Sequence, residues 1–155
     1  AETADVLLPH ESVSEQHAEL CFDGKNWTLT DSGSTNGCVV DGQHLRGSGQ
    51  VVRRNALISI GSLSLIFLCV SKDTAGQDRR DEERALQLLT KGGRLDKATA
   101  NEIRQMASAE ASHSIAEIVL RDTPLAPVDW ANAVATARSK VSFFARIMRM
   151  LTGRK

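Results

Sequence analysis

The sequence lacks net charge and long apolar runs. Its 155 residues carry nineteen basic and nineteen acidic side chains. This balance disfavours a nucleic-acid-binding protein, because such proteins carry an excess of Lys and Arg on one face. The longest apolar run, 63–70, has the length of a strand and is too short to cross a bilayer. We therefore predict no nucleic-acid partner and no membrane span.

Catalytic and metal-binding motifs are also lacking. The sequence has no phosphate-binding loop G-x-x-x-x-G-K-[ST], no nucleophile elbow G-x-S-x-G and no paired metal ligands. Cys21, Cys38 and Cys69 lie far apart and show no C-x-x-C or Cys/His ligand spacing. Their apolar, strand-like surroundings favour reduced core thiols in a reducing compartment over a disulfide or a metal site. We predict no catalysis, no metal, no cofactor and a cytoplasmic location.

Short β-rich runs and turn residues are present in the first half of the chain. Asp-Gly and Asn-Gly pairs separate the runs, and such pairs favour tight hairpins because they accept positive φ. Several short strands at close spacing predict an all-β fold, an antiparallel sandwich over residues 1–72. The predicted strands cover 5–8, 17–22, 27–31, 38–40, 50–53, 57–60 and 63–70.

The second half changes to helical periodicity. Residues 73–81 are polar, lack a large apolar side chain and are predicted to form a linker. Residues 82–138 are predicted to form a small all-α helical bundle. Its later helices are expected to begin at Asp96, Ser114 and Pro127, which are favourable first-turn or capping residues.

The end of the chain is a separate basic segment. Residues 140–155 carry five bases and no acid. We predict an amphipathic helix over 139–155, either separate or as the continuation of the helix that begins at Pro127, with Phe143 and Leu151 on the apolar side and Arg146 on the basic side. Three roles stay open for the apolar side: it covers the bundle, lies on an anionic membrane surface, or docks in a partner's groove.

Polar residues and glycines cluster in two loops between predicted strands. The first loop holds Ser14 and His17 in an S-x-x-H pattern, and the second holds the run Gly-Ser-Thr-Asn-Gly over 33–37. Loops on a rigid sandwich are common places for binding groups. Hydroxyls, a carboxamide and the N–H groups of a Gly-rich turn are the donors that a phosphate group needs.

These motifs resemble those of the forkhead-associated (FHA) family. Residues 4–20 are similar to a strand, loop and S-x-x-H segment of that family, 31–37 to its D-x-G-S-T-N-G turn, and 56–68 to its closing pair of strands. The resemblance covers about residues 4–70. It implies an FHA-like sandwich that binds phosphothreonine peptides.

The resemblance implies a place near the phosphopeptide for five loop residues. Ser14 would donate its hydroxyl to the phosphate, and Thr35 would pack near the phosphothreonine. Asn36 would hold the peptide backbone, and Ser34 would support the loop. Glu15 stands where the family often has a basic or amide residue. A carboxylate there repels a phosphate by about 1 kcal/mol at roughly 4 Å in water.

Other residues are implied as structural. His17 would brace the loops rather than act as a base, since no third group completes a catalytic unit with Ser14. Gly33 and Gly37 would shape the turn. The family also has a Gly-Arg pair whose arginine makes the main contact to phosphate. That pair would end just before Ala1, so we expect the chain to begin inside a longer protein and to bind phosphopeptide weakly without the arginine.

Two functions stay open at this point. The first is a signalling adaptor that binds a phosphothreonine-containing protein. The alternative is a degenerate FHA scaffold without phosphopeptide binding, in a membrane-associated or secretion-type assembly. The pattern L-L-T-K-G-G-R-L over 88–95 and the runs at 115–120 and 125–130 are weakly similar to the N-terminal helical domain of type II secretion and pilus ATPases. Residues 140–155 would then place the protein peripherally at an anionic membrane.

Overall fold

The chain folds into two compact units, Ala1–Ser71 and Lys72–Lys155. The computed structural model describes residues 5–45, 47, 49–69, 75–109 and 114–152, with only the backbone described for 75 and 140–152. The first unit is a β-sandwich and the second is helical. The predicted fold class, an antiparallel sandwich followed by a helical bundle, is confirmed.

The strands of the first unit form two antiparallel sheets. In chain order they are β1 (Ala18–Phe22), β2 (Trp27–Asp31), β3 (Cys38–Val40), β4 (Gln43–His44), β5 (Gln50–Val52), β6 (Ala56–Ile60) and β7 (Leu63–Phe67). The three-stranded sheet has the order β1-β2-β5, and the four-stranded sheet has the order β4-β3-β6-β7. Each sheet turns one face toward the other, which is the arrangement that buries alternate residues of every strand.

Turn chemistry sets the ends of the strands. Asp41 and Gly42 both adopt positive φ, 50° and 81°, in the hairpin that joins β3 to β4. Between β1 and β2, the carboxylate of Asp23 accepts hydrogen bonds from the N–H groups of Lys25 and Asn26 at 2.8 and 2.6 Å. Such a side-chain bond to the backbone two or three residues on closes a tight turn.

The sandwich core lies between the sheets. Its buried members are Leu29, Cys38, Val40, Val52, Ala56, Ile58 and Ile60. Burying an aliphatic side chain of this size stabilises a fold by roughly 1.5–3 kcal/mol. Leu20 is paired with Leu29 across β1 and β2 and so faces the same side. It stays 39% exposed, because β1 lies at the edge of its sheet.

The described part of the second unit contains four helices. They are α1 (Ala75–Lys91), α2 (Lys97–Ala109), α3 (Ile115–Asp122) and α4 (Pro127–Thr152). Helix α1 packs against the other three, and Trp130 of α4 is fully buried. Among the helices that the structure describes, none combines the length and the apolar character needed to span a bilayer.

Capping residues explain where the shorter helices begin. The Ser114 hydroxyl accepts a hydrogen bond from the Glu117 N–H at 3.1 Å, and the Glu117 carboxylate accepts one from the Ser114 N–H at 2.8 Å. This reciprocal pair is a capping box. Asp96 accepts from the N–H of Thr99 at 2.9 Å. The predicted helix starts at Asp96, Ser114 and Pro127 are confirmed.

Two predicted boundaries were wrong. Helix α1 begins at Ala75, so most of the predicted linker 73–81 is helical. Asp78 and Asp81, in the first two turns of α1, are buried and form ion pairs with Arg138 of α4. The polarity of the local sequence does not reveal this long-range contact. Residues 5–8 form no strand, and Val6 and Leu7 remain exposed.

The basic segment belongs to the last helix. Helix α4 runs from Pro127 to Thr152, so residues 139–152 continue it, which is the second of the two predicted arrangements. No Gly or Pro occurs in the sequence between Pro127 and Gly153, and these are the residues that most often end a helix. The predicted apolar and basic sides of this helix concern side chains that lie outside the described part of the structure. Residues 153–155 lie outside it entirely.

Candidate functional site

Asp31, the last residue of β2, organises the Gly-rich turn that follows it. Its Oδ1 atom accepts hydrogen bonds from the N–H groups of Gly33 and Ser34 at 2.9 and 2.8 Å, and its Oδ2 accepts from the Ser34 hydroxyl at 2.8 Å. The Ser34 Oγ in turn accepts from the Gly37 N–H at 2.9 Å. Gly33 and Gly37 adopt φ of 86° and 75°, a region that costs glycine little. The turn is therefore closed by its own side chains.

These contacts also set the acidity of two neighbouring groups. Partial burial would raise the pKa of Asp31, but hydrogen bonds from Ser34, Cys38 and Gly33 outweigh it and lower the pKa to about 2. Burial, and then the hydrogen bond to Asp31, raises the pKa of Cys38 to about 12. At neutral pH the first group is a carboxylate and the second a thiol. Neither has a pKa suited to proton transfer in that range.

His17 connects the two loops. Its Nδ1 accepts a hydrogen bond from the Ser14 N–H at 2.9 Å, and its Nε2 contacts the Gly37 carbonyl oxygen at 3.1 Å. Because Nδ1 is an acceptor, the ring hydrogen lies on Nε2 and donates to Gly37. The side chain is buried. Both ring nitrogens are thus used in holding the first loop against the end of the second.

The ligating atoms of His17, Asp31 and Cys38 lie within 4.8 Å of one another. A metal ion would need lone pairs that are already in use: His17 and Asp31 accept hydrogen bonds from loop N–H groups. It would also need the Cys38 thiolate, and the pKa of that thiol is raised to about 12. The arrangement fits a hydrogen-bonded brace better than a metal centre.

The structure brings the predicted binding residues together. The Thr35 N–H donates to the Ser14 Oγ at 3.2 Å, across 21 residues of sequence. The Asn36 Nδ2 donates to the Ser12 carbonyl oxygen at 2.9 Å, across 24 residues. Thr35 and Asn36 are exposed, Ser14 is half-buried, and Glu15 is exposed beside it. The Ser34 hydroxyl is engaged inside the turn, where it contacts Asp31 and Gly37.

Two hydrogen-bonding groups at this rim remain available to a ligand. The Ser14 Oγ accepts the Thr35 N–H, and its own hydrogen has no acceptor among the described residues. Asn36 uses one hydrogen of Nδ2, and its Oδ1 and second hydrogen have no partner within the described part of the chain. The two joined loops therefore carry a hydroxyl donor on half-buried Ser14 and an anchored amide on exposed Asn36.

Sequence reasoning missed the residues that support Asn36. Ser12 lies in the first loop, and it contacts Ser62 of the turn between β6 and β7, 50 residues away. A short Gly-Ser turn carries no local signal beyond a hairpin. Only the tertiary fold shows that this turn reaches the site.

Residues 1–61 match the family model of the FHA domain. This part of the chain belongs to the FHA family. The resemblance predicted from the two motifs is confirmed, and FHA domains in general are phosphopeptide-binding modules. The likeness of 82–138 to secretion and pilus ATPases stays a prediction.

The chain is also similar to solved structures. Among them is the crystal structure of the FHA domain of the CT664 protein from Chlamydia trachomatis, with 24% sequence identity and a TM-score of 0.42. The similarity covers 45% of this chain and 69% of that chain. No curated protein matches the sequence.

Proposed function

We propose that the FHA domain binds phosphothreonine peptides and that the chain acts as a signalling adaptor without catalytic activity of its own. The observation that carries this proposal is the 3.2 Å hydrogen bond from the Thr35 N–H to the Ser14 Oγ. It joins the loop that holds the hydroxyl to the turn that holds the carboxamide. Donors of both kinds then face one side of the domain.

The phosphate would lie against Ser14. A phosphoryl group carries about −2 charge and three strong acceptor oxygens. The Ser14 hydroxyl already accepts a hydrogen bond, so its hydrogen is left to donate to an acceptor such as phosphate. Hydrogen bonds to a charged partner contribute about 1.5–3 kcal/mol each. Thr35, exposed next to Ser14, would pack near the phosphothreonine.

Asn36 would contact the backbone of the bound peptide. One hydrogen of its amide is fixed on the Ser12 carbonyl at 2.9 Å, which leaves an acceptor and a donor directed outward. An extended peptide offers an N–H and a C=O of matching type at each residue. Such a pair of contacts is independent of peptide side chains. It would hold many sequences in one register.

Glu15 favours the alternative, a sandwich that serves as a scaffold without phosphopeptide binding. Its carboxylate is exposed beside Ser14 and opposes a phosphate by about 1 kcal/mol at roughly 4 Å. In this reading the helical unit and residues 140–155 supply the interaction, at a secretion-type assembly or an anionic membrane. Flotation with phosphatidylserine vesicles, with and without residues 140–155, tests the membrane version. Equal flotation of the two chains would contradict it.

Fluorescence anisotropy with a degenerate phosphothreonine peptide library tests the adaptor proposal. We expect tighter binding than for the matched threonine library. Ser14→Ala and Asn36→Ala should each weaken binding by about tenfold. Ser64→Ala and Asn132→Ala remove the same side chains from exposed positions elsewhere and should have no effect. Equal binding of phosphorylated and plain peptides would defeat the proposal.

The Glu15→Gln variant separates the adaptor from the scaffold. If the site binds phosphate, removal of the negative charge should strengthen phosphopeptide binding by about fivefold at low salt, and less at high salt. If the domain is a scaffold, the variant should bind no better than the wild type.

A further inference from the structure

The turn between β6 and β7 is pressed against the first loop. Gly61 has φ of +57°, and a Cβ atom at this position would lie 2.3 Å from the Ser12 carbonyl oxygen and 2.6 Å from its Oγ. No side chain fits in that space without displacing the Ser12 backbone. Gly61 therefore permits the close approach of two segments that are 50 residues apart in sequence.

The Ser12 hydroxyl is fully used by this contact. Its Oγ accepts a hydrogen bond from the Ser62 N–H at 2.9 Å and lies 2.8 Å from the Ser62 Oγ. It also lies 2.8 Å from the His10 Nδ1, which accepts the Ser12 N–H at 3.1 Å. A hydroxyl has one hydrogen and two acceptor sites. The consistent assignment is donation to His10 and acceptance of both hydrogens from Ser62.

The carbonyl of the same residue holds Asn36. Its oxygen accepts the Asn36 Nδ2 at 2.9 Å, and only the nitrogen end of the amide can donate there. The orientation of the amide is thereby fixed, although the Asn36 side chain is exposed. An exposed side chain without such an anchor would lose rotamer freedom on binding, and this loss weakens affinity.

We propose that Ser12 is a positioning residue for peptide recognition. The Gly61–Ser62 turn holds Ser12, and Ser12 fixes the Asn36 amide in the orientation that contacts the peptide backbone. The inference rests on the proposed phosphopeptide function and assigns the β6–β7 turn as a third element of that site. Ser12 acts through Asn36 and need not touch the peptide.

The first test uses NMR spectra of the uncomplexed chain. In Ser12→Ala the side-chain hydroxyl is lost and the carbonyl remains, so we expect the Asn36 Nδ2 hydrogens to shift and to exchange faster with water. Ser12→Thr keeps the hydroxyl and should restore the wild-type signals. Ser64→Ala, in the same hairpin but outside the contact, is the matched control. Unchanged Asn36 signals in Ser12→Ala would overturn the proposal.

Gly61→Ala is a stronger variant because it drives a methyl group into Ser12. Where it folds, it should shift the Asn36 signals further than Ser12→Ala does. Where it fails to fold, Ser62→Ala provides the second measurement, since it removes one hydrogen bond to Ser12 and adds no atoms. A wild-type Asn36 spectrum in Ser62→Ala and Ser12→Ala together would refute the role of the turn.

The second test compares two ligands, a phosphothreonine peptide and free phosphothreonine. Ser12→Ala should weaken the peptide by about threefold to tenfold, the loss expected for a peptide-backbone hydrogen bond, and leave free phosphothreonine unchanged. Equal weakening of both ligands would contradict positioning through Asn36. If the wild type binds neither phosphorylated ligand more tightly than its unphosphorylated counterpart, the proposed function fails. The NMR spectra still decide whether Ser12 holds Asn36.

Discussion

Asp31 shows how one side chain fixes both the shape and the charge of the site. Its two oxygens accept three hydrogen bonds from Gly33 and Ser34, and its pKa is lowered to about 2. The carboxylate is therefore engaged in hydrogen bonds within the turn and is partly buried. A ligand would meet the hydroxyl and amide groups at the rim.

An Asp31→Asn substitution tests this arrangement. The folded pKa lies below the ordinary value of 3.8, so the ionised carboxylate stabilises the fold above about pH 4, and this stabilisation is lost as the pH falls toward 2. We expect the variant to lose about 1–2 kcal/mol at pH 7, allowing for partial exposure. Urea unfolding of both proteins between pH 2 and 7 measures it. A difference that is constant with pH would contradict the account.

The thiols should differ in reactivity. Cys38 is buried and its pKa is raised to about 12, whereas Cys21 and Cys69 are exposed. A hydrogen bond to Glu19 also raises the pKa of Cys21. At pH 8 we expect iodoacetamide to modify Cys69 first, Cys21 more slowly and Cys38 only after unfolding. Peptide mass spectrometry over a time course gives the order, and rapid modification of Cys38 in the folded chain would show it to be wrong.

The sequence predicted the proximity of the rim residues better than it predicted their surroundings. Ser14, Thr35 and Asn36 follow from two local motifs. The expectation that all three cysteines lie in the core was wrong, because Cys21 is on the outer side of an edge strand and Cys69 follows the last strand. The support of Asn36 by Ser12 and Ser62 depends on a contact across 50 residues. No periodicity or local motif reports such a contact.

At the scale of elements, boundaries with local causes were predictable and those with tertiary causes were not. The start of α3 follows from Ser114 and Glu117, three residues apart. The start of α1 depends on Asp78 and Asp81, whose partner Arg138 lies about 60 residues further along the chain. A polar stretch with such a partner becomes the first turns of a packed helix.

Helix α3 should depend on its cap. Ser114→Ala removes the acceptor of the Glu117 N–H and should lower the free energy of unfolding of the helical unit by about 1 kcal/mol. Ser108→Ala, at an exposed position inside α2, is the matched control and should be neutral or slightly stabilising because alanine favours helix. Circular dichroism during urea unfolding measures both. Equal stability of the two variants would contradict the role of the cap.

At the scale of the whole molecule, each unit has a core of its own. The sandwich core is built on Leu29 and Ile58, and the helical core on Leu86 and Trp130. The sequence has two tryptophans, and one, Trp27, belongs to the sandwich. The sequence predicts a change from strand-like to helical period after the stretch 73–81, because each period buries a different kind of face, whereas the two units divide between Ser71 and Lys72.

Trp130→Ala should unfold one unit and spare the other. Loss of a fully buried Trp costs about 3–5 kcal/mol, a large share of the stability of a small domain. The variant retains Trp27 alone, so fluorescence then reports the sandwich, while ellipticity at 222 nm reports the helices. We expect the helical signal to fall and the Trp27 transition to stay at the midpoint seen for Trp130→Phe. A shared shift of both transitions would show that the units unfold together.

The close approach of Gly61 to Ser12 has a consequence for protein engineering. A designer who transplants the S-x-x-H and D-x-G-S-T-N-G segments onto another sandwich would carry over the hydroxyl and the carboxamide. The orientation of the carboxamide would be lost, because it depends on Ser12 and on the hairpin that packs against Ser12 through Gly61, and neither motif contains these residues. A working transplant needs that hairpin as its third part.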